Sequence, residues 1–182
     1  KRKNTIQKSY FKTMNIVSVS SDELLKAACC NVSESFETNP SIDVSFSNAI
    51  TGVKEVKMLG LESPYLLITE ENIPMVRGAS QVFGLSFIPG SWVESMQVTK
   101  GVGSVVNGFE SISGQVNIEL NKPISDDPIF INVFRNNMGR NELNFHINRK
   151  VNKKLSTGLF IHADHRKEKY DSNNDGFLDS PL

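Results

Sequence analysis

The sequence predicts an α+β fold, in which a small mixed-sheet domain with short helices is followed by an antiparallel β-meander. Three observations support this class. Helical patterns are confined to the first 40 residues, short alternating stretches follow up to Pro123, and three longer alternating stretches separated only by turns come after it. We therefore expect a linker over residues 1–13, the mixed-sheet domain over 14–123, and the meander with a terminal loop over 124–182.

The mixed-sheet domain is predicted to begin with one strand and two helices. Apolar and polar residues alternate over 14–19, as in a short strand. A serine cap and an acidic first turn then favour a helix over 22–30. The second helix, over 32–37, places Val32 and Phe36 on one face, and an Asn-Pro dipeptide ends it.

Strands and turns account for the rest of this domain. The predicted strands cover 53–58, 65–69, 92–100 and 114–120. A turn is expected at Asn72-Ile73-Pro74, and a loop punctuated by glycines at 101–108. Residues 114–120 alternate strictly and are soon followed by Pro123, so the domain is expected to end there.

The meander is predicted from strand-like stretches at 129–136, 141–149 and 155–169, with no helix between them. In the second stretch, Leu143, Phe145 and Ile147 share one face, and the residues between them are hydrophilic. At roughly 9–11 residues per strand, this pattern fits a tilted membrane strand with lipid on one side and a wet lumen on the other. It also fits a soluble sheet with one solvated face, and the pattern alone leaves both open.

Composition and motif searches exclude several classes of protein. The 20 basic residues balance the 20 acidic ones, and the basic residues are dispersed, so nucleic acid is not an expected partner. The only cysteines, Cys29 and Cys30, are adjacent, and we interpret them as half-buried helix residues. The glycines of 101–108 lack dinucleotide and phosphate-loop spacing, and His162 and His165 point to opposite faces of a strand. We expect no enzyme.

One stretch near the end of the sequence resembles the start of a calcium-binding loop. Oxygen ligands are expected at its positions 1, 3, 5, 7 and 9, which are Asp171, Asn173, Asp175, Phe177 (through its backbone carbonyl) and Asp179. A glycine occupies position 6, whereas Leu182 stands at position 12 in place of the usual glutamate. An ordinary turn rich in Asn, Asp and Gly explains the same residues. Ca²⁺ is the only cofactor that a motif in the sequence suggests.

The order of several segments resembles a known family. The strand and two helices at 15–40 come first, and a strand at 56–61 and a strand running into Ile73-Pro74 follow. The most specific residues are Ile88-Pro89, Trp92 to Gly101, Ser104, Asn107-Gly108 and Ile112 to Ile118. Together they resemble the plug domain of TonB-dependent outer-membrane receptors, over about residues 14–123. Met58 and Asn72 depart from the usual pattern, as in a divergent branch resembling receptors of Bacteroides-like bacteria.

The resemblance implies a function as well as a fold. Residues 124–182 would be the start of a transmembrane β-barrel of about 22 strands whose lumen the plug fills. The protein would lie in the bacterial outer membrane, with the plug facing the periplasm, and would be the gate for energy-coupled nutrient uptake. Its partners would be the rest of its own barrel, the TonB complex through a segment upstream of Lys1, and a small-molecule, metal-chelate or glycan cargo. Loops around Tyr65 and 78–87 would face the cargo.

Two other functions are consistent with parts of the sequence. A soluble β-rich adhesion or protein-interaction module agrees with the balanced charge and the lack of catalytic patterns. A hydrolase or redox protein would have to use Cys29 and Cys30, for which no supporting pattern is present. The chain also begins at Lys1 without an initiator methionine or an apolar signal sequence, so we expect its natural start to lie further upstream.

Overall fold

The computed structural model describes residues 6–8, 15–21, 24, 32–36, 42–46, 54–103, 105–124, 127–137, 139–166 and 171–176. The chain forms two compact units, with the main boundary between Leu120 and Asn121. No helix within these described ranges is long and apolar enough to cross a membrane.

The first unit is built around a mixed sheet. In chain order its strands are β1 (Ile6–Lys8), β2 (Asn15–Ser20), β3 (Asp43–Phe46), β4 (Lys54–Lys57), β5 (Leu66–Glu70), β6 (Ile73–Pro74), β7 (Val93–Lys100) and β8 (Gly114–Leu120). Six of them form one sheet in the order β1-β2-β7-β8-β5-β6, while β3 pairs only with β4. The pairing of β5 with β8 is parallel, and the others are antiparallel. The predicted mixed sheet is therefore confirmed.

Helical structure in this unit is short. Among the described residues, the α-helix α1 covers Val32–Ser35, and the 3-10 segments are Ser63–Tyr65, Gly78–Phe87, Gly90–Trp92, Val105–Asn107 and Phe109–Ser111. Val32 and Phe36 are both fully buried, as their predicted shared face requires. Of the helix predicted over 22–30, only Leu24 lies among the described residues, where it is helical and buried.

One face of the sheet carries the hydrophobic core. Alternate residues of the central strands point into it, including Met96 and Val98 of β7 and Val116 and Ile118 of β8. The other core residues are Val19, Leu24, Val32, Phe36, Ile42, Val56, Met58, Leu66, Ile68, Leu85, Ile88 and Val93. The short helical pieces and β4 thus cover the sheet on this side, because they supply the remaining core side chains.

The opposite face of the sheet is polar but also partly buried. Thr69 and Asn117 are buried there, and the Thr69 hydroxyl donates to the Asn117 Oδ1 at 2.8 Å. The Gln97 amide donates to the Glu119 carboxylate at 3.2 Å, which extends the row of hydrogen bonds across β7 and β8. A polar surface of this kind can face a wet, polar neighbour without an apolar seal.

The turn expected at Asn72-Ile73-Pro74 begins one residue earlier than predicted. Glu71 and Asn72 form it, with φ of 51° and 64°, while Ile73 and Pro74 form strand β6. Asparagine tolerates the left-handed region, and the Asn72 N–H donates to Asn117 Oδ1 at 2.8 Å. A partner 45 residues away therefore sets the turn, and this partner could not be read from the local sequence.

The second unit contains the predicted antiparallel meander. Its strands are β9 (Ile129–Arg135), β10 (Arg140–Lys150) and β11 (Ser156–Arg166), paired in the order β11-β10-β9. The register joins Leu143 of β10 to Val133 and Ala163 on its two neighbours. The last strand ends at Arg166, so the predicted extension through 169 lies outside the described residues.

Burial in the meander is opposite to that of an ordinary soluble sheet. On β10, Glu142, Asn144, His146 and Asn148 are buried, whereas Leu143 is 43% exposed. The exposed side also carries Ile129, Ile131, Val133, Ile147, Leu159 and Ile161. We call this apolar side the outward face and the polar side the inward face. Soluble sheets bury their apolar side, so this arrangement favours the membrane-strand interpretation over the soluble one.

Polar and aromatic contacts organise the inward face. The His146 ring lies 4.7 Å from the Phe130 ring and 5.3 Å from the Phe160 ring, measured between centroids. Asn144 donates to Glu142 at 2.7 Å, and its Oδ1 lies 2.7 Å from the His162 Nδ1. These contacts compensate for the lost hydration of buried polar groups.

We predict that Gly114→Ala destabilises the first unit. A Cβ built at Gly114 would collide with the buried Met58 sulfur and lie 2.5 Å from the Thr99 carbonyl oxygen, so the β7–β8 pair would have to shift. Overpacking of this kind costs about 1–3 kcal/mol. The measurement is urea unfolding of the purified protein followed by circular dichroism, with Ile112→Ala as an exposed control nearby. Equal unfolding midpoints for the two variants would contradict the prediction.

Candidate functional site

The candidate site lies at one end of the six-stranded sheet. Leu66 pairs with Gly114, and Gly114 pairs with Lys100, so β5 and β8 begin where β7 ends. The other end of β8 is Leu120, after which the second unit begins. We call the end with Gly114 the distal end, because it is the end of β8 opposite Leu120.

Backbone hydrogen bonds assemble the loops at the distal end. Ser113 donates to the Tyr65 carbonyl from both its backbone N–H, at 3.0 Å, and its hydroxyl, at 2.7 Å. Gly101 donates to the Ser113 carbonyl at 3.0 Å, and Gly103 donates to the Ser111 carbonyl at 2.8 Å. The loop between β7 and β8 is therefore joined to the segment before β5, although the two are distant in sequence.

The 3-10 segment Gly78–Phe87 is anchored at the same end. Its Gln81 is buried and donates its side-chain amide to the Leu66 carbonyl. Arg77, just before the segment, forms an ion pair with Glu110 in the loop between β7 and β8, with Nε and Oε2 3.0 Å apart. Since the Arg77 side chain is half exposed, solvent screens this pair, and its main effect is to position the two loops.

The side chains that these loops expose are largely apolar. We define the distal apolar cluster as Tyr65, Phe83, Phe87, Val102, Val106, Phe109 and Ile112, all of which are exposed. Phe87 is 63% exposed, and its ring lies 6.5 Å from that of Phe83 in a stacked arrangement. Large exposed apolar groups that gather on rigid loops are typical of binding surfaces. Such a surface can hold a ligand by burying area, without bond chemistry.

The sequence located only part of this cluster. The resemblance had placed Tyr65 and residues 78–87 near the cargo; Tyr65 lies at the distal end, and Gln81 joins the segment 78–87 to it through the Leu66 carbonyl. It did not include Val102, Val106 and Phe109, which are apolar residues set between glycines. Three apolar side chains in a loop that lacks strand periodicity are a signal that could have identified them, because loops are usually polar.

The predicted calcium loop is only partly described. Asp171 accepts the backbone N–H groups of Asp175 at 3.2 Å and Gly176 at 3.0 Å, and the Asn173 amide donates to the Asp175 carboxylate at 2.9 Å. The side chains of Asp171, Asn173 and Asp175 are thus brought together by an Asx-type turn. Phe177 and Asp179 lie outside the described residues. In the described ranges, no group of three or more His, Cys, Asp or Glu residues is placed to hold a metal.

The remaining residues singled out from the sequence do not form a site. Cys29 and Cys30 lie outside the described residues. His162 and His165 both lie on β11, where His162 contacts Asn144 on the inward face and His165 is exposed.

A model of the family described as the TonB-dependent receptor plug domain matches residues 10–115, a little over half of the chain. The chain therefore belongs to the TonB-dependent receptor plug domain family. This is the class that the order of segments had indicated, and the mixed sheet with few helices agrees with it.

Solved structures with the same fold include complete receptors of this kind. The ferric-catecholate import receptor Fiu from E. coli K12 is 14% identical with a TM-score of 0.68, covering 89% of this chain and 23% of that receptor. The siderophore receptor PiuA from Acinetobacter baumannii is 14% identical with a TM-score of 0.69, covering 88% and 22%. The ferric yersiniabactin uptake receptor FyuA from Yersinia pestis is 14% identical with a TM-score of 0.61, covering 85% and 25%. The chain spans about a quarter of the length of these receptors or less.

We predict that the intact protein binds Ca²⁺ through Asp171, Asn173, Asp175, Phe177 and Asp179. Position 12 of the loop is not acidic, so we expect a weak affinity, with a dissociation constant on the order of millimolar. Isothermal titration calorimetry tests this, with Asp175→Ala expected to abolish the heat of binding and Ser172→Ala, at a position that is not a ligand, expected to preserve it. No binding heat at millimolar Ca²⁺, or an unchanged affinity in Asp175→Ala, would refute the site.

Proposed function

We propose that this chain is the gate of a TonB-dependent receptor in the bacterial outer membrane. Residues 14–123 supply the plug, and residues 124–182 supply the first strands of the barrel and an extracellular loop. The rest of the barrel completes the wall around the plug. The whole receptor imports a nutrient, and the TonB complex supplies the energy through a segment that precedes the plug.

One observation supports this proposal above the others. A plug-family domain is followed, in the same chain, by a meander that exposes its apolar face and buries its polar face. A barrel in lipid requires an apolar outer face and a polar inner face, since its outside contacts acyl chains and its lumen is wet. The polar face of the plug sheet agrees with it, because a plug held by hydrogen bonds and water can be released or remodelled.

The proposed mechanism is gating without bond chemistry, so the protein is not an enzyme. Cargo binds at the distal end of the plug, which lies towards the cell exterior when the chain enters the barrel from the periplasm. Force from TonB then opens a path past the plug. The distal apolar cluster favours a cargo with apolar or aromatic surface, and Fiu, PiuA and FyuA are receptors for ferric catecholate, siderophore and ferric yersiniabactin, respectively. Metal chelates are therefore the first cargo class to test, ahead of other small molecules and glycans.

The competing function is a soluble β-rich adhesion or protein-interaction module. In such a module the outward face of the meander would meet water or a partner protein. An added charge on that face would then leave folding unchanged or improve solubility. The two functions therefore predict opposite results for the same substitution.

We predict that Ile131→Arg impairs assembly of the receptor in the outer membrane. Ile131 lies on the outward face of β9 and is exposed, and an arginine facing the bilayer midplane costs roughly 2–4 kcal/mol. The measurement is the fraction of receptor in outer-membrane preparations that migrates as the folded species in unheated gel samples. Asn132→Arg is the matched control, because it adds the same charge on the inward face of the same strand. Equal assembly of Ile131→Arg and wild type would favour the soluble module.

We also predict that Phe87→Ala reduces cargo uptake without lowering the amount of receptor in the membrane. Removing a large aromatic group from the binding surface is expected to weaken cargo affinity roughly tenfold or more. A deletion strain complemented with each variant is grown on single sources of iron, cobalamin, glycan or other metals to find the cargo, and uptake is then measured. The control is Ile73→Ala, a similarly exposed apolar residue at the opposite end of the sheet. Equal uptake by the two variants would exclude the distal apolar cluster as the cargo site.

A further inference from the structure

A tight turn at Leu59-Gly60 follows strand β4. It is closed by two hydrogen bonds: the Met58 N–H donates to the Leu61 carbonyl at 3.1 Å, and the Leu61 N–H donates to the Met58 carbonyl at 3.0 Å. The φ angles are 54° at Leu59 and 76° at Gly60, as in the type I′ turns of two-residue hairpins. Such turns favour Asn-Gly, because both central residues must adopt positive φ. The turn therefore has the favoured glycine, but a leucine where asparagine is favoured.

Leucine is an unfavourable residue at this position. In the left-handed region its Cβ comes too close to the following carbonyl oxygen, whereas asparagine tolerates the region. Among the described residues, the other non-glycine residues with positive φ are Glu71, Asn72 and Asn174, so Leu59 is the one apolar side chain held in this way. Strained residues persist only where the surrounding structure imposes their conformation, and they are concentrated at functional sites.

The Leu59 side chain adds nothing to the core of the first unit. It is 63% exposed, whereas Met58, one residue earlier, is fully buried. A Cβ built on Gly60 would meet nothing within 4 Å, so there is open space beside the turn. A residue that destabilises its own turn without improving the core breaks a local rule, and such exceptions are expected where a residue serves a function.

Neighbouring contacts fix the turn at the distal end of the sheet. Lys57 and Glu62 form an ion pair across it, with Nζ and Oε1 3.6 Å apart. The buried Met58 sulfur lies so close to Gly114 that a Cβ there would collide with it. Since Gly114 is the first residue of β8 and defines the distal end, the turn lies at this end as well.

The turn also adjoins the distal apolar cluster. Tyr65, a member of the cluster, comes shortly after the turn, and its N–H donates to the Glu62 carbonyl at 3.0 Å. Strand β4, which leads into the turn, contacts the 3-10 segment Gly78–Phe87, which carries the two stacked phenylalanines. Leu59 therefore extends the apolar surface of the distal end to the side formed by β4.

We infer that Leu59 contacts the cargo and that the plug keeps a leucine in a strained conformation for this contact. This inference rests on the proposed function, which makes the distal end the cargo site. It adds the turn at 58–61 to that site and narrows the cargo to molecules whose apolar or aromatic surface reaches from the phenylalanines to the turn. Because cargo affinity and turn stability make opposite demands on this position, one substitution changes them in opposite directions.

The test uses the intact receptor, purified in detergent, with iron(III) tris-catecholate as the aromatic probe. Leu59→Asn relieves the strain and removes the apolar contact, whereas Leu59→Met keeps both. Ile73→Asn makes the same kind of change at the opposite end of the sheet, and Phe87→Ala is the positive control. Retention of radioactive iron measures the affinity. Hydrogen exchange of the peptide that contains the Met58 and Leu61 amides measures the stability of the turn.

Leu59→Asn is expected to bind the chelate roughly tenfold more weakly than wild type, because an apolar contact is lost. The same variant is expected to slow hydrogen exchange at the turn roughly fivefold, because asparagine tolerates positive φ. Leu59→Met and Ile73→Asn are expected to keep the wild-type affinity. A residue with a purely structural role would not separate affinity from stability in this way.

Three results would overturn the inference: wild-type affinity in Leu59→Asn, no binding of the chelate by wild type, or weaker binding joined with faster exchange in Leu59→Asn. The last would show that the leucine supports the fold of the receptor instead of contacting the cargo. If Phe87→Ala weakens binding and Leu59→Asn does not, only this inference is wrong. If the receptor does not reach the outer membrane, the proposed function is wrong.

Discussion

The antiparallel pairing of β7 with β8 holds the first unit together. β2 attaches to the free edge of β7 and β5 to the free edge of β8, so the six-stranded sheet depends on this pair. Its residues Val98 and Val116 are fully buried opposite each other. The close approach at Gly114, where Met58 and the Thr99 carbonyl leave no room for a Cβ, explains why a glycine is needed at the start of β8.

The same pairing positions the candidate binding surface. The loop between β7 and β8 emerges where Lys100 meets Gly114, and Ser113 joins it to Tyr65 at the start of β5. The exposed aromatic and aliphatic groups are therefore carried by loops whose ends belong to the central strands. A rigid base with ligand-facing loops is a common arrangement for binding sites, since the scaffold limits the entropy lost when the ligand binds.

In the second unit, the decisive constraint is the period of two along each strand. Every strand of the meander has one apolar and one polar side, and on β10 the polar side is the buried one. Burial of the polar side is costly unless its groups find partners, and here Glu142, Asn144 and His162 contact one another while His146 stacks between aromatic rings. An exposed apolar face and a buried polar face are stable in a membrane barrel, because lipid replaces water on the apolar side and the polar side faces the lumen.

Local patterns determined much of this protein from the sequence alone. Strict alternation predicted β8 over 114–120 and the three strands of the meander, and the spacing of Val32 and Phe36 predicted their shared buried face. Only the tertiary structure decided which side of the meander is buried, because a soluble sheet and a membrane sheet have the same period of two. Tertiary contacts also decided the turn at Glu71-Asn72 and the distal apolar cluster. Both depend on partners more than 40 residues away in the chain, such as Asn117 for Asn72 and Ser113 for Tyr65. These partners cannot be predicted from a local sequence pattern.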